Sequence, residues 1–497
     1  MNDSLVLRAL AQHAEQRASH LAIETLDGSL DYATLQGAVD ALAEQLKHHD
    51  CQHIALLMDN SPAVVIADLA VLAAQRLCVP VPLFFSPAQM QHLLCNAGID
   101  TIVTDMPEAM LALLGTQLIA HEALTVAGKQ LSLLRLQHST VVIPQGCHKI
   151  TYTSGSTGEP KGVCLSQQSM EQVAQSLCQA SQASADERHL SMLPFATLLE
   201  NIGGVYTVLL SGATLIMPPL AACGLRGSSA LDVGQFVRVL CESKASSCIL
   251  IPQMLQALIA AIQQGMPTPQ HLRYIAVGGA PVAPALLQQA ASLKLPVYEG
   301  YGLSEASSVV TVNRPDANRP GSVGQVLPHV QLHINEAGDI ALTGSVFLGY
   351  LGDTAVADTM LETGDVGYLD EDGYLYLVGR KKHIFITAFG RNVSPEWVER
   401  ELLLELPIAQ ACVFGEARPF NTAIIVARDN ASDEAVQEAI NRANDRLPDY
   451  AQVHRWIRAA EPFTIANQQW TGTGRPRRQH IQQHYQSLLD EQWNKGR

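Results

Sequence analysis

Charge is scarce and unbalanced in this chain. Asp, Glu, Lys and Arg make up 16 % of its 497 residues, against 47 % apolar residues. That balance fits neither a fully disordered chain nor a coiled coil. The basic sign is the rarer one: 32 Lys and Arg stand against 47 Asp and Glu, for a net charge of −15. A general nucleic-acid binder is therefore not expected, although a local anion site is compatible with that balance. Every apolar run is broken by charges, prolines or polar residues before it reaches the length of a transmembrane segment. The first twenty residues hold no basic stretch followed by an apolar core, so no secretory signal is expected and a cytoplasmic location is. The ten cysteines include no C-x-x-C pair and no grouping with zinc-site spacing. They read as mostly buried free thiols of a reducing compartment. Internal repeats are absent, and the 35 glycines and 25 prolines follow no collagen period.

What is present alternates. At roughly 100–200 residues per domain, the length suggests about three units. Residues 53–58 (HIALLM) read as a strand, and Ser61-Pro62 opens a helix over 63–77, with proline in its first turn. Extended chain resumes over 79–85 and again at 101–104. Helices over 169–180, 201–210 and 254–262 then alternate with strands over 190–193, 214–217, 248–251 and 272–277. This is the rhythm of a sheet covered by helices, and it persists to about residue 310. The texture changes at 321–379, where short strands and many glycines predict a small all-β unit. A final unit follows Gly379-Arg380, with helices over 395–406 and 434–447 and short strands at 384–386, 411–414 and 422–426. The expected fold class is α/β. A large N-terminal region of helix-covered sheets, residues 1–381 with a β-rich part at about 320–379, precedes a smaller α+β C-terminal domain, residues 382–497.

The sharpest chemical signal is YTSGSTGEPKGV, residues 152–163. Gly155, Gly158 and Gly162 let the backbone turn tightly and point N–H groups into a concavity. Thr153, Ser154, Ser156 and Thr157 supply hydroxyls, and Lys161 supplies charge. The string lacks the Gly-Lys-Ser/Thr ending of a Walker A loop.

This string resembles the phosphate-loop signature of the adenylate-forming superfamily: acyl-CoA synthetases, luciferases and peptide-synthetase adenylation domains. The resemblance extends over essentially the whole chain. Gly278-Gly279-Ala280-Pro281 is similar to the family's adenine-side loop. The run 298–305 (YEGYGLSE), with Glu299, Gly300, Tyr301, Gly302, Ser304 and Glu305, is similar to its aromatic–glycine–acid motif. Asp365, after Thr363-Gly364, and Arg380, after Gly379, resemble its ribose-binding pair. The run 389–396 (FGRNVSPE) resembles the loop that closes the thioester-forming state. The resemblance implies ATP and Mg²⁺ as cofactors, with Glu305 as the metal carboxylate, and coenzyme A as the acceptor. It also implies a mobile C-terminal domain pivoting near Lys382.

The residue types suit that chemistry on their own terms. When a carboxylate attacks the α-phosphorus of ATP, charge builds on the phosphoryl oxygens, and N–H groups, hydroxyls and Lys161 can stabilise it. An ionised Asp365 is a pure acceptor for ribose hydroxyls, and Arg380 brings a planar fork. The small-molecule carboxylic acid is read from residues 193–200 (LPFATLLE), similar to the long-chain acyl-CoA synthetase version of the pocket segment. Phe195, Thr197, Leu198 and Gly278 are the expected pocket, and Ile202, Val205 and Tyr206 extend an apolar wall. No Asp stands between Pro194 and Leu199 to meet an α-ammonium group, which favours a lipophilic, fatty-type acid over an α-amino acid. Glu200 reads equally as a substitute for that Asp or as a structural cap or partner of the closing loop.

One departure stands out. The family's C-terminal catalytic lysine falls on Arg475 in this chain. Arginine keeps the charge but presents a fork where lysine presents a point donor. Two alternatives stand beside a CoA ligase: an acyl-AMP ligase that stops at acyl-AMP or delivers to an acyl carrier protein, since an apolar acid pocket does not separate acceptors, and, on account of Arg475, a nucleotide- or acyl-adenylate-binding protein with residual or no turnover.

Overall fold

The computed structural model describes residues 4–137, 140–154, 160–226, 230–353, 360–428, 431–471 and 474–494. Two large sheets organise residues up to about 350. One has nine strands and a parallel centre: Val297–Tyr301, Tyr274–Val277, Ser247–Leu250, Arg188–Leu190, Thr214–Ile216 and Leu21–Glu24 lie side by side in that order. The other has eight strands, and His53–Leu57 lies at its centre between Leu77–Pro80 and Thr101–Thr104.

Helices fill the space between the sheets and cover both outer faces, as the alternating pattern predicts. Pro62–Ala73 (PAVVIADLAVLA) is apolar on every side except for Asp68, and residues 63–72 are all buried. The nine-stranded sheet carries Val233–Glu242, Pro252–Gln263 and Pro284–Ser292 on its outer face. The eight-stranded sheet carries Pro87–Asn96 and Pro107–Leu114 on its own. Among the described residues, no helix is long and apolar enough to cross a membrane.

Local departures from the sequence reading have local causes. The helix read over 63–77 stops at Ala73, because Gln75 takes a left-handed conformation (φ 55°) and the chain re-enters a sheet at Leu77. The single helix read over 201–210 is a wide π-type turn, Asn201–Tyr206, followed by a short α-helix, Thr207–Ser211.

The predicted β unit is a four-stranded antiparallel sheet, Val330–Ile334, Asp339–Gly344, Leu361–Leu369 and Leu375–Arg380. One short strand leaves it: Gly349–Tyr350 pairs instead with Pro160–Ser166 of the eight-stranded sheet. Beyond residue 382 the chain has its own core, a three-stranded sheet (Ile408–Phe414, Asn421–Ala427, Val453–Arg458) packed against Pro395–Leu403, Asp433–Asn444 and Arg478–Asn494.

Candidate active site

Parallel strands deliver their loops to one edge, and an α/β sheet binds ligands beyond the carboxyl ends of its strands. The strand Tyr274–Val277 runs directly into Gly278, Gly279, Ala280 and Pro281, and its neighbour Val297–Tyr301 carries Glu299, Gly300 and Tyr301. Gly302 then turns the chain so tightly that a Cβ there would lie 1.7 Å from the Ser308 carbonyl oxygen. That turn sets Ser304 and Glu305 on the wall of a cavity of about 2060 Å³.

The phosphate-loop hairpin reaches the same cavity. Cys147–Ser154 pairs antiparallel with Pro160–Ser166, with Thr153 opposite Lys161. Gly155, Ser156, Thr157 and Gly158 lie outside the described residues. Thr153 and Lys161 line the cavity, and Lys161 Nζ stands 5.3 Å above the ring centre of Tyr350.

The ribose candidates form one connected group. Asp365 and Arg380 are cross-strand neighbours, with a bulge beside them. Arg380 Nε lies 2.8 Å from Asp365 Oδ1, and Tyr301 Oη donates to Asp365 Oδ2 at 2.6 Å. Arg380 Nη1 also donates to the Thr363 carbonyl at 2.8 Å. Burial pushes the Asp365 carboxyl up, and the Arg380 charge pulls it back.

The C-terminal domain closes the cavity from the other side. Arg475 Nη2 donates to the Gly279 carbonyl at 2.6 Å, so this residue reaches the loop 278–281, the adenine-side candidate. Its side chain is surrounded by protein groups yet open to the cleft. Burial and the nearby Arg380 charge lower its pKa, while Asp365, Glu396 and Glu305 act in the opposite direction. A second contact across the cleft runs from Gln256 Nε2 to the Leu403 carbonyl at 2.6 Å. Lys382 lines the cavity beside Arg380, its pKa lowered by burial and by that arginine. The hairpin that resembles the closing loop points elsewhere: Phe389 is 75 % exposed. The cleft therefore presents Arg475, not this hairpin tip, to the candidate nucleotide-binding residues.

The acid pocket differs from the sequence reading. Thr197, Leu198 and Gly278 line the cavity, but Phe195 is 2 % exposed and packs into the core between the sheets. Ile202, Val205 and Tyr206 face that core as well, because the wide turn at 201–206 sends them inward. The wall is instead formed by Gly203, Gly204, Thr207 and Val208, facing Ile249 and Ala276 of the sheet. Glu200 takes the local role: it is fully buried, accepts from the Leu193 N–H at 3.1 Å and lies 3.4 Å from His189 Nε2. Tyr350 and Gln256 belong to no contiguous motif, and only the tertiary fold brings them here.

One buried acid gives the site a pH dependence. Burial pushes Glu299 up to about 8, against the pull of Arg400 on the C-terminal domain. An acid with a raised folded-state pKa binds its proton more tightly in the fold. Stability is therefore undiminished below the unfolded value of about 4.5 and falls as pH rises towards 8. Glu299→Gln removes this titration, so the drop in Tm between pH 5 and pH 8 is expected to shrink relative to wild type. Melting curves across that range check it, and an unchanged drop counts against a buried, titrating Glu299.

The resemblance read from the motifs is borne out by known proteins. Residues 10–351 match the family model described as AMP-binding enzyme, and residues 382–496 match the AMP-binding enzyme C-terminal domain. An indoleacetate–CoA ligase of Aromatoleum aromaticum is 28 % identical over 81 % of this chain and 84 % of its own. A 2-succinylbenzoate–CoA ligase of Enterococcus faecalis is 27 % identical over 82 % and 85 %. A long-chain-fatty-acid–CoA ligase of Mycobacterium bovis is 37 % identical over a shorter stretch, 35 % of this chain and 30 % of its own. The fold matches the crystal structure of the anthranilate CoA ligase AuaEII with anthranoyl-AMP, at TM-score 0.80, 18 % identity and 96 % coverage of both chains. It also matches o-succinylbenzoate coenzyme A synthetase of Bacillus subtilis with ATP and magnesium, at TM-score 0.74, 21 % identity and coverage of 95 % of this chain and 98 % of that one. With its N-terminal and C-terminal models both matched in order, the chain belongs to the AMP-binding enzyme family.

Proposed function

We propose that this enzyme activates a lipophilic carboxylic acid, of fatty type, with ATP and passes the acyl group to coenzyme A in the cytoplasm. The observation that carries this reading is the convergence of Lys161, Glu305, the Tyr301–Asp365–Arg380 group and Arg475 on one cavity. In the first step the acid's carboxylate oxygen bonds to the α-phosphorus, the bond to the bridging oxygen breaks, and pyrophosphate leaves. Lys161 and Arg475 oppose the charge that builds on the phosphoryl oxygens. Asp365, held between Tyr301 and Arg380, accepts from the ribose hydroxyls. In the second step the CoA thiolate attacks the acyl carbonyl and AMP leaves. That step uses a C-terminal domain, residues 382–497, rotated about Lys382 so that the 389–396 loop replaces Arg475 at the cleft. CoA-ligase relatives and ten free cysteines support the acceptor and the compartment.

Mg²⁺ fits the residues present. It binds through one or two carboxylates together with substrate phosphates, keeping waters of its own. Glu305 offers one such carboxylate at the cavity wall beside Lys161. Bound there, the ion would neutralise phosphate charge.

The fatty-type acid is supported by the shape of the cavity. It runs on from Gly278 between the sheet and the segment 203–211 to Ser181 and Arg273. At roughly 3.3 Å per residue, the strand distance from Gly278 to Arg273 is about 16 Å, room for an extended tail. Each buried methylene is worth about 0.8 kcal/mol, so kcat/KM should rise by up to about fourfold per carbon until the channel is full. A panel of alkanoic, aryl and α-amino acids, followed as acyl-AMP without CoA and as thioester with CoA, tests the reading. Preference for polar α-amino acids would overturn the acid class. Transfer to a phosphopantetheine-loaded carrier but not to CoA would overturn the acceptor.

A further inference from the structure

Tyr350 joins two motifs that the sequence keeps about 150 residues apart. Its short strand pairs with the phosphate-loop hairpin, Gly349 opposite Cys164 and Tyr350 opposite Val163. Backbone bonds fix it on both flanks: Leu348 N–H donates to the Cys164 carbonyl and Leu351 N–H to the Gly162 carbonyl, each at 2.8 Å. Gly162 permits this approach, since a Cβ there would lie 2.9 Å from Ile150 and 3.2 Å from Leu351. The same segment grips the acid motif, because Phe347 N–H donates to the Glu305 carbonyl at 2.7 Å. Tyr350 itself is clamped edge-on by the Phe347 ring at 5.0 Å.

From that fixed position the side chain reaches two charged groups. Its hydroxyl donates to Glu305 Oε1 at 2.7 Å, and its ring lies beneath Lys161 Nζ at 5.3 Å. Burial and the Glu305 hydrogen bond both raise the phenol's pKa, which keeps it a donor. One carboxylate oxygen of Glu305 is thus committed to Tyr350, and no hydrogen bond from the described residues reaches the other.

We propose that Tyr350 is a positioning residue for the metal–nucleotide site: its hydroxyl orients Glu305 so that the second oxygen faces the metal, and its ring seats Lys161 against the phosphates. The proposal rests on the reading of Glu305 as the metal carboxylate. Partners that orient a metal-binding carboxylate are typically worth 10–100-fold in metal affinity.

The test is equilibrium binding of a fluorescent ATP analogue, without acid or turnover, titrated with Mg²⁺ from zero. Three proteins are compared: wild type, Tyr350→Phe and Glu305→Gln. Phenylalanine fills the same space against Phe347 and under Lys161, so the fold is retained, and melting curves verify it. In Tyr350→Phe, the Mg²⁺ concentration that half-restores binding should rise about tenfold or more. Metal-free binding should stay within about twofold of wild type, because the ring contact with Lys161 remains. Glu305→Gln should lose most of the Mg²⁺-dependent gain. A wild-type Mg²⁺ curve in Tyr350→Phe beside a lost gain in Glu305→Gln would overturn the positioning role while sparing the metal reading. A wild-type curve in Glu305→Gln would overturn the metal reading, and the proposal with it.

Discussion

Arg475→Ala is expected to slow acyl-AMP formation by about 10²–10³-fold, the usual cost of removing one donor aimed at developing oxyanion charge. ATP affinity should change much less, because Lys161, Asp365 and Arg380 remain in place. The guanidinium is tied by one bond to the Gly279 carbonyl at 2.6 Å, and its charge is felt at Asp365. A fork held at one corner keeps its remaining N–H groups for a phosphoryl oxygen. Arg475→Lys restores a point charge and is expected to retain activity. Thioester formation from supplied acyl-AMP should be much less affected, since in the proposed cycle that step turns this face of the domain away. Loss of a domain contact alone is reproduced by Gln256→Ala, which removes the bond to the Leu403 carbonyl without removing charge. If both variants slow adenylation equally, docking rather than charge is the role of Arg475. Rapid-quench measurement of acyl-AMP separates the two.

Lys149→Ala is expected to produce the largest loss of stability, about 3–5 kcal/mol. Lys149 lies on the strand that leads into the phosphate loop, yet it is buried, as is its partner Asp68, the single charged residue of the otherwise apolar helix Pro62–Ala73. Their ion pair spans 2.7 Å. Tyr206 Oη donates to the second Asp68 oxygen at 2.7 Å, and Lys149 Nζ also donates to Asn201. Strand, helix and the turn 201–206 are thereby tied together between the sheets. Removing the lysine leaves the aspartate charge buried without its cation. Replacing both charges, as Asp68→Asn with Lys149→Met, should recover much of the loss, because the cost lies in the unpaired charge more than in the missing attraction. Denaturant titration of wild type and the two variants checks this. Equal destabilisation in the single and double variants would contradict it.

The fold and the site were legible to different depths. The α/β class followed from the alternation of apolar strands and helices, and the two-part division from the change of texture near residue 380. The phosphate-loop candidates were legible because a loop that presents several N–H groups must be glycine-rich and contiguous in sequence, whereas Asp365 and Arg380, on two paired strands, were legible only through the resemblance. Tyr350 was not, since its role comes from a two-residue strand that crosses from one sheet to another. Phe195 misled for a related reason. An apolar residue beside a pocket segment reads the same whether it faces ligand or core, and Phe195 is held in the core, where its N–H donates to buried Asn60 Oδ1 at 2.8 Å. Arg475 was visible as a substitution, but its bond to Gly279 depends on how the C-terminal domain sits over the cleft.

The central claim is that this cavity joins an acid to AMP. The most direct measurement is pyrophosphate release from ATP and Mg²⁺ in a single turnover with CoA absent, over a series of lipophilic acids. The account expects release to depend on the acid, to match acyl-AMP mole for mole, and to be followed by thioester when CoA is added. Release that is independent of acid, or no acyl-AMP with any acid while ATP still binds, would contradict it.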